Sequence, residues 1–150
     1  DGGGDRSAGV KMIKVGQTFY ITDCAAFFAR ALERERRILN CAKQDGPRTT
    51  IWVEQEPGSG GKESAHATIR SLAGFNIKLD KPVTNKVERW MPCSAQAEAG
   101  NIKLLRGDWN EDFLKEVHNS DGSERVHDDI TSAFTGAFNA LTQRMTRSFA

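Results

Sequence analysis

Thr49-Thr50-Ile51-Trp52-Val53-Glu54-Gln55-Glu56-Pro57-Gly58-Ser59-Gly60-Gly61-Lys62 reads as a short apolar strand that ends in a carboxylate and runs into a glycine-rich turn. Its connection to the next two elements decides the fold. A helical pattern from Lys62 to Leu72 leads to a second apolar run from Phe75 to Leu79, and a strand, helix and strand of these lengths predict a parallel crossover in an α/β sheet.

Upstream, Asp1 to Asp5 is a glycine-rich turn. Val10, Met12, Ile13 and Val15, then the turn Gly16-Gln17, then Phe19, Tyr20 and Ile21 predict a hairpin with strands near 7–15 and 18–24. From Phe27 to Lys43 the residues Phe28, Ala31, Leu32, Leu39 and Ala42 recur at helical spacing, and Asp45-Gly46-Pro47 stops the helix. Its Arg30, Arg34, Arg36 and Arg37 read as a solvated face with glutamate partners. Downstream, a helix starts at Val83-Thr84 and runs through Val87, Trp90 and Ala97, bent at Pro92 and capped by Gly100. A short strand over 101–105 and a short helix over 110–118 precede a polar loop. The last helix is the clearest: Ile130, Ala133, Phe134, Ala137, Phe138, Leu141 and Met145 form one stripe, with His127, Asp128 and Asp129 at its start.

The chain has 150 residues, enough for one domain with a core, and 21 Lys+Arg stand against 20 Asp+Glu. That balance gives no global field for nucleic acid, so any argument for such a partner must rest on local placement. Cys24, Cys41 and Cys93 form no C-x-x-C pair and read as reduced, cytosolic thiols. No apolar run reaches the roughly 20 residues of a membrane span, and the N-terminus carries no signal pattern. The chain opens on Asp1 rather than Met, so a fragment of a longer protein is expected.

Three acidic points carry the chemistry: Asp5 in the first turn, Glu54 at a strand end, and Asp128-Asp129 at the start of the final helix. Strand carboxyl ends and neighbouring helix N-termini line the usual crevice of open α/β sheets, so these acids have a route to convergence. Two carboxylates about 4 Å apart repel by roughly 4 kcal/mol at an effective dielectric near 20, so a cluster needs protons or a cation. Mg2+ is held by few carboxylates plus substrate phosphates, and two such ions would clamp a phosphodiester during hydrolysis. Each acid has a plainer reading as well. Asp128 or Asp129 suits a helix N-cap, Glu54 a solvated strand end, and Asp5 a turn. Gly58-Ser59-Gly60-Gly61-Lys62 fails the nucleotide-binding pattern G-x-x-x-x-G-K-[ST], because Glu56 sits at the first glycine's place and Glu63 comes after the lysine. A contact of Lys62 with a DNA phosphate survives as a smaller role. His66, His118 and His127 show no metal-ligand or triad spacing.

Taken in order, Gly3-Gly4-Asp5-Arg6-Ser7-Ala8-Gly9, the strand and turn over 51–62, Thr84-Asn85-Lys86-Val87-Glu88-Arg89, Ala95-Gln96-Ala97-Glu98-Ala99-Gly100, Leu105-Arg106-Gly107-Asp108-Trp109-Asn110 with Phe113-Leu114, and His127-Asp128-Asp129 resemble the C-terminal nuclease domain of the tailed-phage DNA-packaging terminase large subunit. The resemblance covers nearly the whole chain. It implies an RNase H-like (resolvase-like) fold, a mixed sheet flanked by helices, and an endonuclease using two Mg2+ or Mn2+ ions to cut concatemeric double-stranded DNA in the host-cell cytoplasm. It further implies an ATPase domain in the same protein, with the small terminase subunit and the portal or prohead as partners. By position, Glu54 resembles the acid of the central strand, Asp128 the acid opening the last helix, with Asp129 a second ligand or a cap, and Asp5 a secondary acid. Lys62, Lys86 and Arg89 are the expected phosphate contacts.

Two departures accompany the resemblance. The family's principal aspartate lies in an apolar strand several residues before the secondary acid; no such strand precedes Asp5, and Asp1 is a poor substitute. The first strand and its ligand are therefore expected to lie outside this chain. The loop Ser120-Asp121-Gly122-Ser123-Glu124-Arg125-Val126 replaces the family's shorter phenylalanine-proline approach. A junction resolvase on the same fold, and a DNA-translocation or docking module without cleavage, are the competing readings.

Overall fold

The computed structural model describes residues 5–123 and 125–142, with Asp5 described by its backbone alone. The expected turn at Asp1, the loop's Glu124 and the stripe's Met145 lie outside the described residues. Among the described residues, five helices and five strands form a mixed α/β fold in two compact units.

The first unit takes residues 28–83 together with the described start of the chain before Ala8. Helix α1 (Ala31–Asp45), strand β3 (Ile51–Glu54), helix α2 (Ser59–Ser71) and strand β4 (Ile77–Asp80) succeed one another. β3 and β4 pair in parallel, so the predicted crossover is present. Alternation along the strands puts Ile51, Val53, Ile77 and Leu79 on one face, and Trp52, Glu54, Lys78 and Asp80 on the other. Lys78 covers the Trp52 ring at 5.5 Å, which shields an otherwise exposed indole on the polar face. Ala65, Thr68 and Leu72 of the α2 segment are buried, as is Ala42 of α1. Between these helices lies a hydrogen-bonded knot: Glu35 accepts from Arg34, Thr68 and Ser71, and Arg34 also donates to Ser7. The outer arginines behave as the spacing predicted, with Arg36 and Arg37 both bonded to Glu33. The Arg37 hydrogen bond, with help from both positive charges, holds the Glu33 carboxyl below its ordinary range.

The second unit takes residues 8–27 and those from Thr84 onward. Strands β1 (Asp5–Val15) and β2 (Thr18–Ala29) form the expected hairpin, and β5 (Ile102–Leu104) adds to β2 in parallel, with Phe19 opposite Ile102 and Ile21 opposite Leu104. The five strands thus belong to two hydrogen-bonded sheets, β1-β2-β5 and β3-β4. β2 runs five residues beyond its expected end at Cys24, because Phe27 and Phe28 suit a pleated strand better than a first helical turn. Helix α1 accordingly begins after the extended Arg30 rather than at Phe27.

Helices α3 (Lys86–Glu98), α4 (Asn110–Asn119) and α5 (Asp129–Thr142) complete this unit. Asn85 caps α3 by accepting from the Glu88 amide at 2.9 Å, and Pro92 lies inside the helix as expected. The core joins Phe19 and Ile21 of β2, Cys93 of α3, Phe113 of α4, and Ile130, Phe134 and Phe138 of α5. Its aromatic rings interlock, Phe19 on Phe138 at 4.7 Å and Phe113 edge-on to Phe134 at 5.3 Å. The amphipathic stripe of the last helix is therefore what buries the hairpin and β5.

Candidate functional site

Glu54 is the last residue of β3, exposed and on the polar face of the parallel pair. Its register partner is Asp80, the last residue of β4, and the Gln55 amide donates to the Asp80 carbonyl at 2.8 Å, which extends the ladder past both acids. Register partners on adjacent strands lie about 4.8 Å apart and point to the same side. Two acidic residues therefore stand in register, on the same face, at the carboxyl ends of two parallel strands.

Asp80 was not among the residues singled out from sequence, although a signal for it exists. Ile51-Trp52-Val53-Glu54 and Ile77-Lys78-Leu79-Asp80 share one pattern, and parallel pairing of equal-length strands aligns their final acids. The expected strand end at Leu79 stopped one residue short of it.

The glycine-rich turn after Glu54 has a packing explanation. Gly58 takes φ 94°, which favours glycine, and a Cβ on Gly61 would meet the Glu56 carbonyl oxygen at 2.1 Å. The chain needs these glycines to turn from β3 into α2 without a clash. Lys62 lies exposed in the first turns of α2.

In the second unit, Asp128 immediately precedes α5, and its backbone carbonyl accepts the Ser132 amide at 2.8 Å. Its side chain does not cap the helix. The Ile130 amide is taken instead by Glu116 of α4, Oε2 accepting at 2.6 Å, and the Asp128 carboxylate accepts from Lys86 Nζ at 3.0 Å. The Asp128 side chain is only 12 % exposed, so this pair is partly shielded from solvent. Lys86 thus holds a carboxylate rather than standing open toward a phosphate. Asp129 is the first residue of α5, half-buried, where a negative charge suits the helix dipole. Arg89 is half-buried in the first turns of α3. Asp5, read from sequence as a turn residue, opens β1 instead.

Among the described residues no group of three or more His, Cys, Asp or Glu is gathered as a metal site. Glu54 and Asp80 supply two adjacent oxygen donors, a set that fits a hard divalent cation retaining several waters. A comparison of the chain with protein-family models and with curated proteins found no match.

Proposed function

We propose that this chain is a metal-dependent endodeoxyribonuclease domain of RNase H-like architecture, of the kind found in phage terminase large subunits. The observation that carries the reading is the pairing of Glu54 with Asp80 at the carboxyl ends of β3 and β4, the position where open α/β folds place their ligand crevice. The ordered motifs along the sequence supply the family, and the state of Asp128 agrees with it: a shielded carboxylate at a helix start, released from capping by Glu116.

In this reading the acids that hold Mg2+ or Mn2+ are Glu54, with Asp80 beside it in register and Asp5 secondary, in the first unit, and Asp128 and Asp129 in the second. Bound divalent ions would supply the positive charge that activates water and stabilises the phosphodiester transition state. The protein's own part is placement. The β3–β4 ladder fixes two carboxylates in one register, and Lys86 orients Asp128 through Oδ2, so its role shifts from phosphate contact to positioning. Lys62 and Arg89 are the proposed phosphate contacts, which position DNA without reading its sequence. Packaging DNA, an ATPase domain elsewhere in the protein, the small subunit and the portal belong to the same proposal.

Plasmid nicking in Mn2+ by the full-length protein tests it. Glu54→Ala and Asp128→Ala are each expected to lower the nicking rate by at least about a hundredfold, and Asp80→Asn by less. Unchanged nicking in either alanine variant would remove that acid from the site. Preferential cleavage of branched substrates would favour a junction resolvase, and metal-independent DNA retention without cutting would favour a docking module.

A further inference from the structure

Helix α2 presents Lys62, His66 and Arg70 in a row, one per turn, all exposed. With Ser59 and Glu63 they line one shallow depression open to solvent. None of these three side chains makes an ion pair or side-chain hydrogen bond among the described residues, in contrast to Arg34, Arg36 and Arg37 on α1, which are all engaged with glutamates. The opposite face of α2 is already occupied: Ala65, Thr68 and Leu72 are buried, and Thr68 and Ser71 hydrogen-bond Glu35 of α1. The stripe is therefore not a by-product of packing. Burial fixes the helix, and the helix holds the stripe rigidly outward.

We infer that the Lys62–His66–Arg70 stripe is a docking surface for the phosphate backbone of double-stranded DNA. The geometry suits a linear polyanion better than a compact anion. Successive members are about 6 Å apart along the helix axis, and the whole row spans about 12 Å, an extended line of donors rather than a single point. A long cation without a carboxylate partner can exchange its hydration for a phosphate at little cost. Glu63 opposes them in charge and lines the same depression. The choice of DNA as the polyanion rests on the nuclease reading above, and it deepens that reading from one lysine to a helix face.

Fluorescence anisotropy with a labelled duplex in EDTA, repeated across a range of salt concentrations, separates this surface from any metal-dependent chemistry. For the wild-type chain, log affinity should fall linearly with log salt, since each phosphate neutralised contributes a slope of about 0.9. Lys62→Ala with Arg70→Ala is expected to reduce that slope by about two and weaken binding at least tenfold at about 0.1 M salt. Glu63→Gln should bind more tightly than wild type, a gain that a purely structural role for the helix face would not produce. These residues are exposed, and matching circular dichroism and melting curves would show that the variants fold. An unchanged slope in the double variant, or no duplex binding by the wild type, overturns the inference. The two proposals fail separately. Glu54→Ala that loses nicking beside a double variant that keeps its slope leaves the nuclease and removes the stripe; a reduced slope in a chain that never cuts leaves the stripe and removes the nuclease.

Discussion

Cys93 shows how one buried position sets a measurable pH response. It is 1 % exposed within the core of the second unit, and burial pushes its thiol from the ordinary 9.0 up to about 12. Desolvation disfavours the thiolate, so the folded chain keeps its proton while the unfolded chain gives it up. The folded value lies above the unfolded one, so this contribution is complete below pH 9 and is lost as the pH rises from there toward 12. The stability difference between the wild type and Cys93→Ala, from urea unfolding, is expected to shrink by about 1.4 kcal/mol per pH unit in that window. A flat difference would mean that the thiol is already ionised or solvated in the fold. The sequence placed Cys93 among thiols outside any disulfide or zinc pattern, but its burial was not legible: the helical reading rested on Val87, Trp90 and Ala97, whereas α3 turns Cys93 into the core with Phe19 and Phe138.

At the scale of elements, the start of α5 bears on one of the two roles read for Asp128, that of helix cap. Sequence alone left capping and ligation open, because an aspartate before an apolar stripe serves either. The contacts bear on capping alone: Glu116 reaches across from α4 to take the Ile130 amide, and Ser120 bonds Thr131 at 2.6 Å, so α4 and the Ser120 that follows it anchor the helix start. Losing a side-chain cap costs about 1 kcal/mol, with up to about 1 more for the charge at the helix N-terminus. Losing a partly exposed ion pair such as Lys86–Asp128 costs less than about 1 kcal/mol. Urea unfolding should therefore rank Glu116→Ala as the more destabilising, by about 1–2 kcal/mol, and Asp128→Ala as mild. The reverse order would restore Asp128 to capping and weaken its claim as a ligand. Element existence was well legible here, since the stripes of α1 and α5 and the crossover at 51–79 are strongly periodic. Boundaries were less so. The end of β2 turned on aromatic residues that fit either state, and the last residue of β4 turned on a pairing that only the register reveals.

For the whole molecule, the local pattern carried further than the composition. A formal net charge of +1 argues for no partner, yet among the described residues Lys62 and Arg70 of α2 have no acidic partner while the arginines of α1 are neutralised within their own unit. Glu54 was legible as an acid ending a strand, and Asp80 was not, because sequence gives strand ends but not which ends meet. The pair also makes a prediction about global stability. Two carboxylates in register must be neutralised or held apart, and a divalent cation that binds them only in the folded state adds stability by mass action, about 2.7 kcal/mol when its concentration is about a hundred times its Kd. For a chain of this size that corresponds to a rise in Tm of roughly 5–10 °C. Differential scanning fluorimetry with rising Mn2+ is therefore expected to show an upward shift that Glu54→Gln and Asp80→Asn each reduce and that together they abolish. Mg2+ should act in the same direction at higher concentration, since it gives up its waters reluctantly. If Mn2+ at about 10 mM leaves Tm unchanged, or if the shift survives the double substitution, then the strand-end carboxylates are not the acids that hold the ion, and the weight of the proposed site moves to Asp128 and Asp129.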